Sequence, residues 1–168
     1  MGVNVYKSAT ITNRDSIPSA INDARLERGV LRSAHGQVTA VNADSIGSTY
    51  ILASLPSTAM VRKVLLSCAA LTSGAANIGV SQPTAKSNTA ISAALFAAAQ
   101  SLASALSHTD VTNQSGTYTM ALEEQPLWQA AGLSADPGYA LDIVVTLTAA
   151  LTAGGLLGLS VDYVDNGA

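Results

Sequence analysis

The feature that most constrains this chain is an alternation of apolar and polar residues near its carboxyl end. Successive side chains of a strand point to opposite faces, so a period of two is typical of a strand with one buried face. The apolar face holds Tyr139, Leu141, Ile143, Val145 and Leu147, and the polar face holds Asp142, Thr146 and Thr148, with Val144 as an exception. The alternation resumes over residues 157–163 after Gly154 and Gly155. Two such runs around a Gly-rich turn predict a β-hairpin.

The same region has to be tested against a membrane helix. Residues 143–161 carry no formal charge, and Gly154 and Gly158 form a G-x-x-x-G pattern, which is a helix-dimer motif in membranes. However, Ala, Thr and Gly dominate the stretch, and no Lys or Arg flanks it to set an orientation. We therefore expect strands here and no membrane partner.

Further period-two or short apolar runs indicate strands along most of the remaining chain. They lie at residues 46–55, 59–71, 77–82 and 117–122. Roughly eight short strands separated by turn residues are typical of a sandwich of two sheets. The predicted fold class is all-β, an antiparallel β-sandwich with the jelly roll as the favoured topology.

Three segments do not follow the strand pattern. Residues 16–29 predict a short helix, because Ser16 suits a cap, Pro18 a first turn and Gly29 a stop. Residues 126–133 predict one or two helical turns that place Trp128 at one end of the core. The Ala-rich residues 89–107 have apolar residues at roughly helical spacing, so they fit a helix or a long irregular loop. One or two short helices therefore accompany the sheets.

Charge divides the chain into two parts. Residues 1–32 have a net charge of +2 and the remainder has −5, which together give the −3 of the whole chain. We therefore expect residues 1–32 to form an amino-terminal arm with the short helix, and residues 33–168 to form the β-sandwich domain. The arginines of the arm are candidates for protein contacts, because a guanidinium can hold a carboxylate through two hydrogen bonds. These candidates are Arg14, Arg25, Arg28 and Arg32.

The composition argues against several classes of function. A net negative charge disfavours binding to nucleic acid. His35 and His108 have no Cys or carboxylate pattern around them that is typical of a metal site, and we place His108 and Asp110 together on a loop. No phosphate-binding glycine motif and no G-x-S-x-G motif is present. The single cysteine, Cys68, stands in an apolar run and is expected to be buried. We predict no enzyme activity, no cofactor and no metal.

Low charge points instead to a surface that other proteins cover. Charged residues make up 11% of the chain, whereas about 25% is typical of globular domains. Such a surface leaves apolar area in water unless neighbours cover it. A stable homo-oligomer is therefore expected.

The order of features along the chain resembles that of small virion proteins of tailed bacteriophages, of the capsid decoration or cement type. The features are Asn13-Arg14-Asp15, the run from Ile21 to Arg32, Asn42 to Ser48, the strand Val64 to Cys68, PLWQAAGLSADP and DIVVTLTAALTAGG. The resemblance implies a sandwich on the outer surface of the capsid, assembled in the host cytoplasm. It further implies the major capsid protein as partner and a trimer in preference to a dimer. A head–tail or tail component and a β-sandwich ligand-binding module remain the alternatives.

Overall fold

Strands dominate the computed structural model, which describes residues 6–27 and 29–165. The strands are β1 Leu31–Ala40, β2 Thr49–Leu55, β3 Met60–Cys68, β4 Ala75–Ser81, β5 Ala90–Ser101, β6 Leu106–Asp110, β7 Leu141–Ala149 and β8 Gly155–Val164. The short helices are α1 Ala9–Asp15, α2 Ala24–Glu27, α3 Met120–Glu123 and α4 Leu127–Ala130, with a 3-10 turn at Thr84–Lys86.

The strands form two antiparallel four-stranded sheets that pack face to face. The first sheet has the order β1-β8-β3-β6 and the second has β2-β7-β4-β5. Apart from the β4–β5 hairpin, each connection carries the chain from one sheet to the other. This alternation is the jelly-roll topology, so the predicted all-β sandwich is confirmed.

The carboxyl-terminal strands are where they were predicted, but the predicted hairpin is wrong. β7 pairs with β2 and β4, whereas β8 pairs with β1 and β3. The connection crosses the end of the sandwich, where Leu151 is buried and its N–H donates to the carbonyl oxygen of Asp44 over 3.0 Å. Alternation predicts that a segment is extended, but the partner of a strand depends on distant parts of the chain.

Neither predicted form of residues 89–107 is correct, because the segment forms β5 and β6. Ile78 pairs with Ala97 and Val80 with Ser92, so β5 advances by five residues while β4 advances by two. This bulge shifts the alternation of β5, and Leu95, Phe96 and Ala97 are all buried in succession. A shifted period of two resembles helical spacing when only the sequence is read.

Two further local predictions need correction. The short helix predicted within residues 16–29 is present as α2, but it begins at Ala24. Ser16 instead ends α1, and its Oγ donates to the carbonyl oxygens of Asn13 and Pro18. Residues 117–122 do not form a strand, because Tyr118 turns into the core and α3 follows it. The predicted helical turn at 126–133 is confirmed as α4, with Trp128 packed against the core.

Candidate interaction surface

The amino-terminal arm is folded by its own hydrogen bonds. Asn22 accepts a bond from Asn13 Nδ2 over 2.8 Å, and its own Nδ2 donates to the Thr10 carbonyl oxygen and to Glu27 Oε1. Ser8 caps α1 by accepting from the N–H of Ile11 over 3.4 Å. The described arm therefore has a defined shape, although none of the residues in its two helices is buried.

Arg14 is already paired within the arm. Its Nε donates to Asp15 Oδ1 over 2.8 Å, and Lys7 Nζ donates to Asp15 Oδ2 over 2.7 Å. Both hydrogen bonds lower the pKa of Asp15, and the bond from Arg14 has the larger effect. A partner protein that contacts Arg14 would have to compete with a local carboxylate.

Arg25 has the same kind of local partner and lies where the arm meets the sandwich. Its guanidinium binds Asp23 through Nε and Nη2, with 2.9 Å between Nη2 and Oδ2. Its carbonyl oxygen accepts a bond of 3.1 Å from Arg62 Nη2 on β3. Arg32 lies on β1, opposite Tyr163 of β8. Arg28 lies outside the described residues.

The arm also presents apolar side chains that the sequence prediction did not single out. Ile17 is 99% exposed and Ile21 is 98% exposed, and Tyr6 is 89% exposed. The sequence signal was available, since these are isolated large apolar residues in an otherwise polar segment. Single exposed apolar residues are ordinary, whereas here two isoleucines that stand close together in the sequence are both almost fully in water.

The arm shares its end of the sandwich with the long connection between β6 and β7. Tyr118 in this connection donates to the Val61 carbonyl oxygen, near the start of β3 and next to the arm's anchor Arg62. Met120, two residues further on, is 79% exposed. We call Ile17 and Ile21, the two exposed isoleucines of the arm, the apolar tip.

The part of the chain that the structure describes has neither a metal-binding cluster nor a membrane-spanning helix. It contains no group of three or more His, Cys, Asp or Glu side chains suited to a metal ion. Over the same residues, no helix has the length and apolar character to span a bilayer.

Of the remaining candidate residues, His108 and Asp110 lie elsewhere than predicted, whereas Cys68 lies where it was predicted. His108 and Asp110 lie on β6 rather than on the predicted loop, and Thr112 Oγ1 donates to Asp110 Oδ1 over 2.6 Å. Cys68 is buried as predicted, and burial raises the pKa of its thiol.

Comparisons with known proteins identify chains of similar fold but no related sequence. No protein-family model matches the sequence, and no curated protein sequence matches it. A chain of the cyanophage Pam1 capsid asymmetric unit is similar at 14% identity and a TM-score of 0.52, over 89% of this chain and 96% of that chain. A chain in the capsid of Ralstonia phage GP4 is similar at 18% identity and a TM-score of 0.61, over 83% of this chain and 87% of that chain. At these identities the likeness is one of fold.

Proposed function

We propose that this chain is a structural protein of a phage virion that decorates the capsid and stabilises it through protein contacts. The observation that carries the proposal is the match of fold to chains of two phage capsids. Each match covers most of both chains, so the compared chains have similar lengths. A fold similar to this one, at a similar chain length, thus occurs in chains of two phage capsids.

In this proposal, the end of the sandwich that carries the arm binds the major capsid protein. The apolar tip would lose its contact with water on docking, at about 25 cal/mol for each Å² of apolar surface. Arg14, Arg25, Arg28 and Arg32 would add polar contacts. Exposed ion pairs contribute only about 0–1 kcal/mol each, and Arg14 and Arg25 already have carboxylate partners. The isoleucines are therefore expected to contribute more than the arginines.

Self-association is the second part of the proposal. The chain has few charges for its length, and oligomerisation would multiply weak contacts with a repeating lattice by avidity. A trimer is preferred over a dimer because capsid lattices offer threefold positions. Light scattering of the purified protein measures this directly, and a monomer at micromolar concentration would contradict it.

The decoration role can be tested by binding to undecorated capsids of the source phage. We expect a double variant, Ile17→Ser with Ile21→Ser, to bind much more weakly while its melting temperature stays near that of the wild type. Deletion of residues 1–15 and the pair Arg25→Ala with Arg28→Ala test the rest of the arm in the same assay.

A matched control uses the opposite end of the sandwich. Val41 and Ile46, 62% and 67% exposed, lie in the β1–β2 loop, about 30 Å from the arm along β1. The double variant Val41→Ser with Ile46→Ser should bind like the wild type. If this control loses binding and the arm variants keep it, the orientation is wrong. If the wild type itself does not bind capsids, the decoration role is wrong, and a head–tail or tail location becomes the alternative to examine.

A further inference from the structure

The outer face of the second sheet carries polar side chains without partners among the described residues, and two of them, Ser81 and Asp142, lie side by side. Ser81 on β4 is 5% exposed, and its Oγ has no hydrogen bond. Asp142 lies directly opposite on β7 and is 7% exposed. None of the ion pairs between described residues includes its carboxylate. A buried hydroxyl normally binds a partner, because its loss of hydration is otherwise uncompensated, and the Asp142 carboxylate beside it keeps only slight contact with water.

Ser81 forms part of the wall of a hollow of about 40 Å³ on this face. The wall also includes Thr49, Gly79, Asn88, Val144 and Thr146. Gly79 allows the bulge of β5 to pass close by, since a Cβ there would overlap the carbonyl oxygens of Ser92 and Ala93. The hollow opens to solvent, because Thr49 and Asn88 are exposed. We call it the Ser81 notch.

The chemistry of the Ser81 notch favours a small cation that donates hydrogen bonds. Its polar atoms come from the hydroxyls of Ser81, Thr49 and Thr146 and the amide of Asn88, and no cationic side chain lines it. The rest of the wall is apolar and would contact the aliphatic stem of a long side chain: Val80, Ala90, Ala93 and Val144. Asp142 adds one negative charge beside it, because directly opposite residues of an antiparallel pair have Cβ atoms about 5 Å apart. Lys86, on the loop after β4, instead lies over the ring of Tyr139, with Nζ 5.7 Å from its centre.

A primary ammonium group matches this wall better than the other cations of proteins and solution. It carries one charge and three donors, which suits one carboxylate and several hydroxyl oxygens. A guanidinium is a wide planar fork, whereas the three donors of an ammonium group can turn toward separate hydroxyl oxygens. Calcium takes six to eight oxygen ligands, for which a single neighbouring carboxylate is a poor basis.

We propose that the Ser81 notch binds the ammonium group of a lysine side chain from a partner protein. The charge of Asp142 favours a cation, and the hydroxyl oxygens around Ser81 favour the three donors of an ammonium group. The proposal goes beyond the decoration role and does not depend on it, because the recognition is set by residues of this chain.

The probe for the test is Nα-acetyl-lysine N-methylamide, titrated while the methyl resonances of Val144 and Ala90 are followed by NMR. We expect saturable shifts in these two residues. The Kd should rise by about tenfold in Asp142→Asn and several-fold in Ser81→Ala. The matched control Asp162→Asn removes an acid from the outer face of the first sheet and should leave the Kd unchanged.

Two further ligands separate the proposal from weaker explanations. The Nε-acetylated form of the probe keeps the stem but loses the charge, so it should cause no shifts. Potassium chloride tests whether any compact cation suffices. Equal shifts with either ligand, or no shifts with the lysine probe up to about 10 mM, would overturn the proposal. The spectra of Asp142→Asn and Ser81→Ala without ligand show whether each variant keeps the wild-type fold.

Discussion

The phenolic hydroxyl of Tyr118 donates a hydrogen bond of 2.7 Å to the carbonyl oxygen of Val61, inside the sandwich. The ring of Tyr118 is 1% exposed and meets Phe96 edge to face, with 4.9 Å between the ring centres. Burial raises the pKa of this tyrosine. One side chain thus fixes the long β6–β7 connection to β3 and to β5, and it supports the end of the sandwich that bears the apolar tip.

We expect Tyr118→Phe to destabilise the protein by about 1–3 kcal/mol, because the carbonyl of Val61 loses its donor in a buried place. Denaturant unfolding measures the change. The matched control is Tyr139→Phe, since the hydroxyl of Tyr139 is not bonded to another described residue, and its effect should stay within about 0.5 kcal/mol. Equal stability of the two variants would mean that the ring alone holds the connection.

A second prediction concerns the close approach of β1 and β2. A Cβ on Gly36 would overlap the carbonyl oxygen of Leu52, so Gly36→Ala must push the two sheets apart. We expect a loss of about 1–3 kcal/mol in unfolding free energy. Gly158 on the neighbouring β8 is the control, because its nearest atom to an added Cβ is 3.5 Å away. Gly158→Ala should be neutral or stabilising by up to about 1 kcal/mol, and a similar loss in both variants would contradict the argument.

These cases show which parts of the fold the sequence could predict. The alternation of β7 is a local property, so its inward residues Ile143 and Val145 were identified correctly. The crossing between β7 and β8 follows from their partner strands, β2 and β4 for β7 and β1 and β3 for β8, which all lie far from Gly154 in the sequence. The bulge of β5 was hidden for the same reason, because it exists only relative to β4.

The candidate sites show the same division. The burial of Cys68 could be predicted from its apolar neighbours, whereas the ion pairs of Arg14 and Arg25 within the arm required its folded shape. The pairing of Ser81 with Asp142 depends on strand order, since the two residues are far apart in sequence. Sequence patterns therefore indicate which residues are exposed or buried more readily than which residues meet.

A third prediction concerns stability in acid. Asp44 Oδ2 accepts a bond of 2.6 Å from the hydroxyl of Tyr50 and one of 3.0 Å from the N–H of Val41. Both hydrogen bonds lower the pKa of Asp44, and the bond from Tyr50 has the larger effect. The stabilisation of the fold by the ionised Asp44 carboxylate is therefore fully present above the pKa of about 3.9 in the unfolded chain. It is lost as the pH falls through the lower pKa of Asp44 in the folded protein.

We therefore expect the melting temperature of the wild type to fall more steeply below about pH 4 than that of Asp44→Asn. At neutral pH the variant should be the less stable of the two. Thermal melts across this range measure both effects. Glu124→Gln is the control, because Glu124 is exposed and its carboxylate has no partner among the described residues, and its curve should parallel the wild type. Parallel curves for Asp44→Asn as well would contradict the assignment.

The last prediction concerns the anchor of the arm. Arg62 Nη2 donates to the carbonyl oxygen of Arg25 over 3.1 Å, which joins β3 to α2. Arg62→Met keeps an aliphatic stem on β3 but removes the donor. A net hydrogen bond contributes about 0.5–1.5 kcal/mol, so the arm should detach roughly 2- to 10-fold more often. Trypsin should then cleave after Arg14 and Arg25 faster by a similar factor, as followed by mass spectrometry.

The melting temperature should stay near that of the wild type, because the arm buries little and the core of the sandwich is untouched. Lys63→Met is the matched control, since Lys63 is the next residue on β3 and its Nζ lies 3.7 Å from Asp110 on β6, away from the arm. Its arm should be cleaved at the wild-type rate. Unchanged cleavage in Arg62→Met would mean that other contacts hold the arm. A fall in melting temperature without faster cleavage would mean that Arg62 stabilises the sandwich itself.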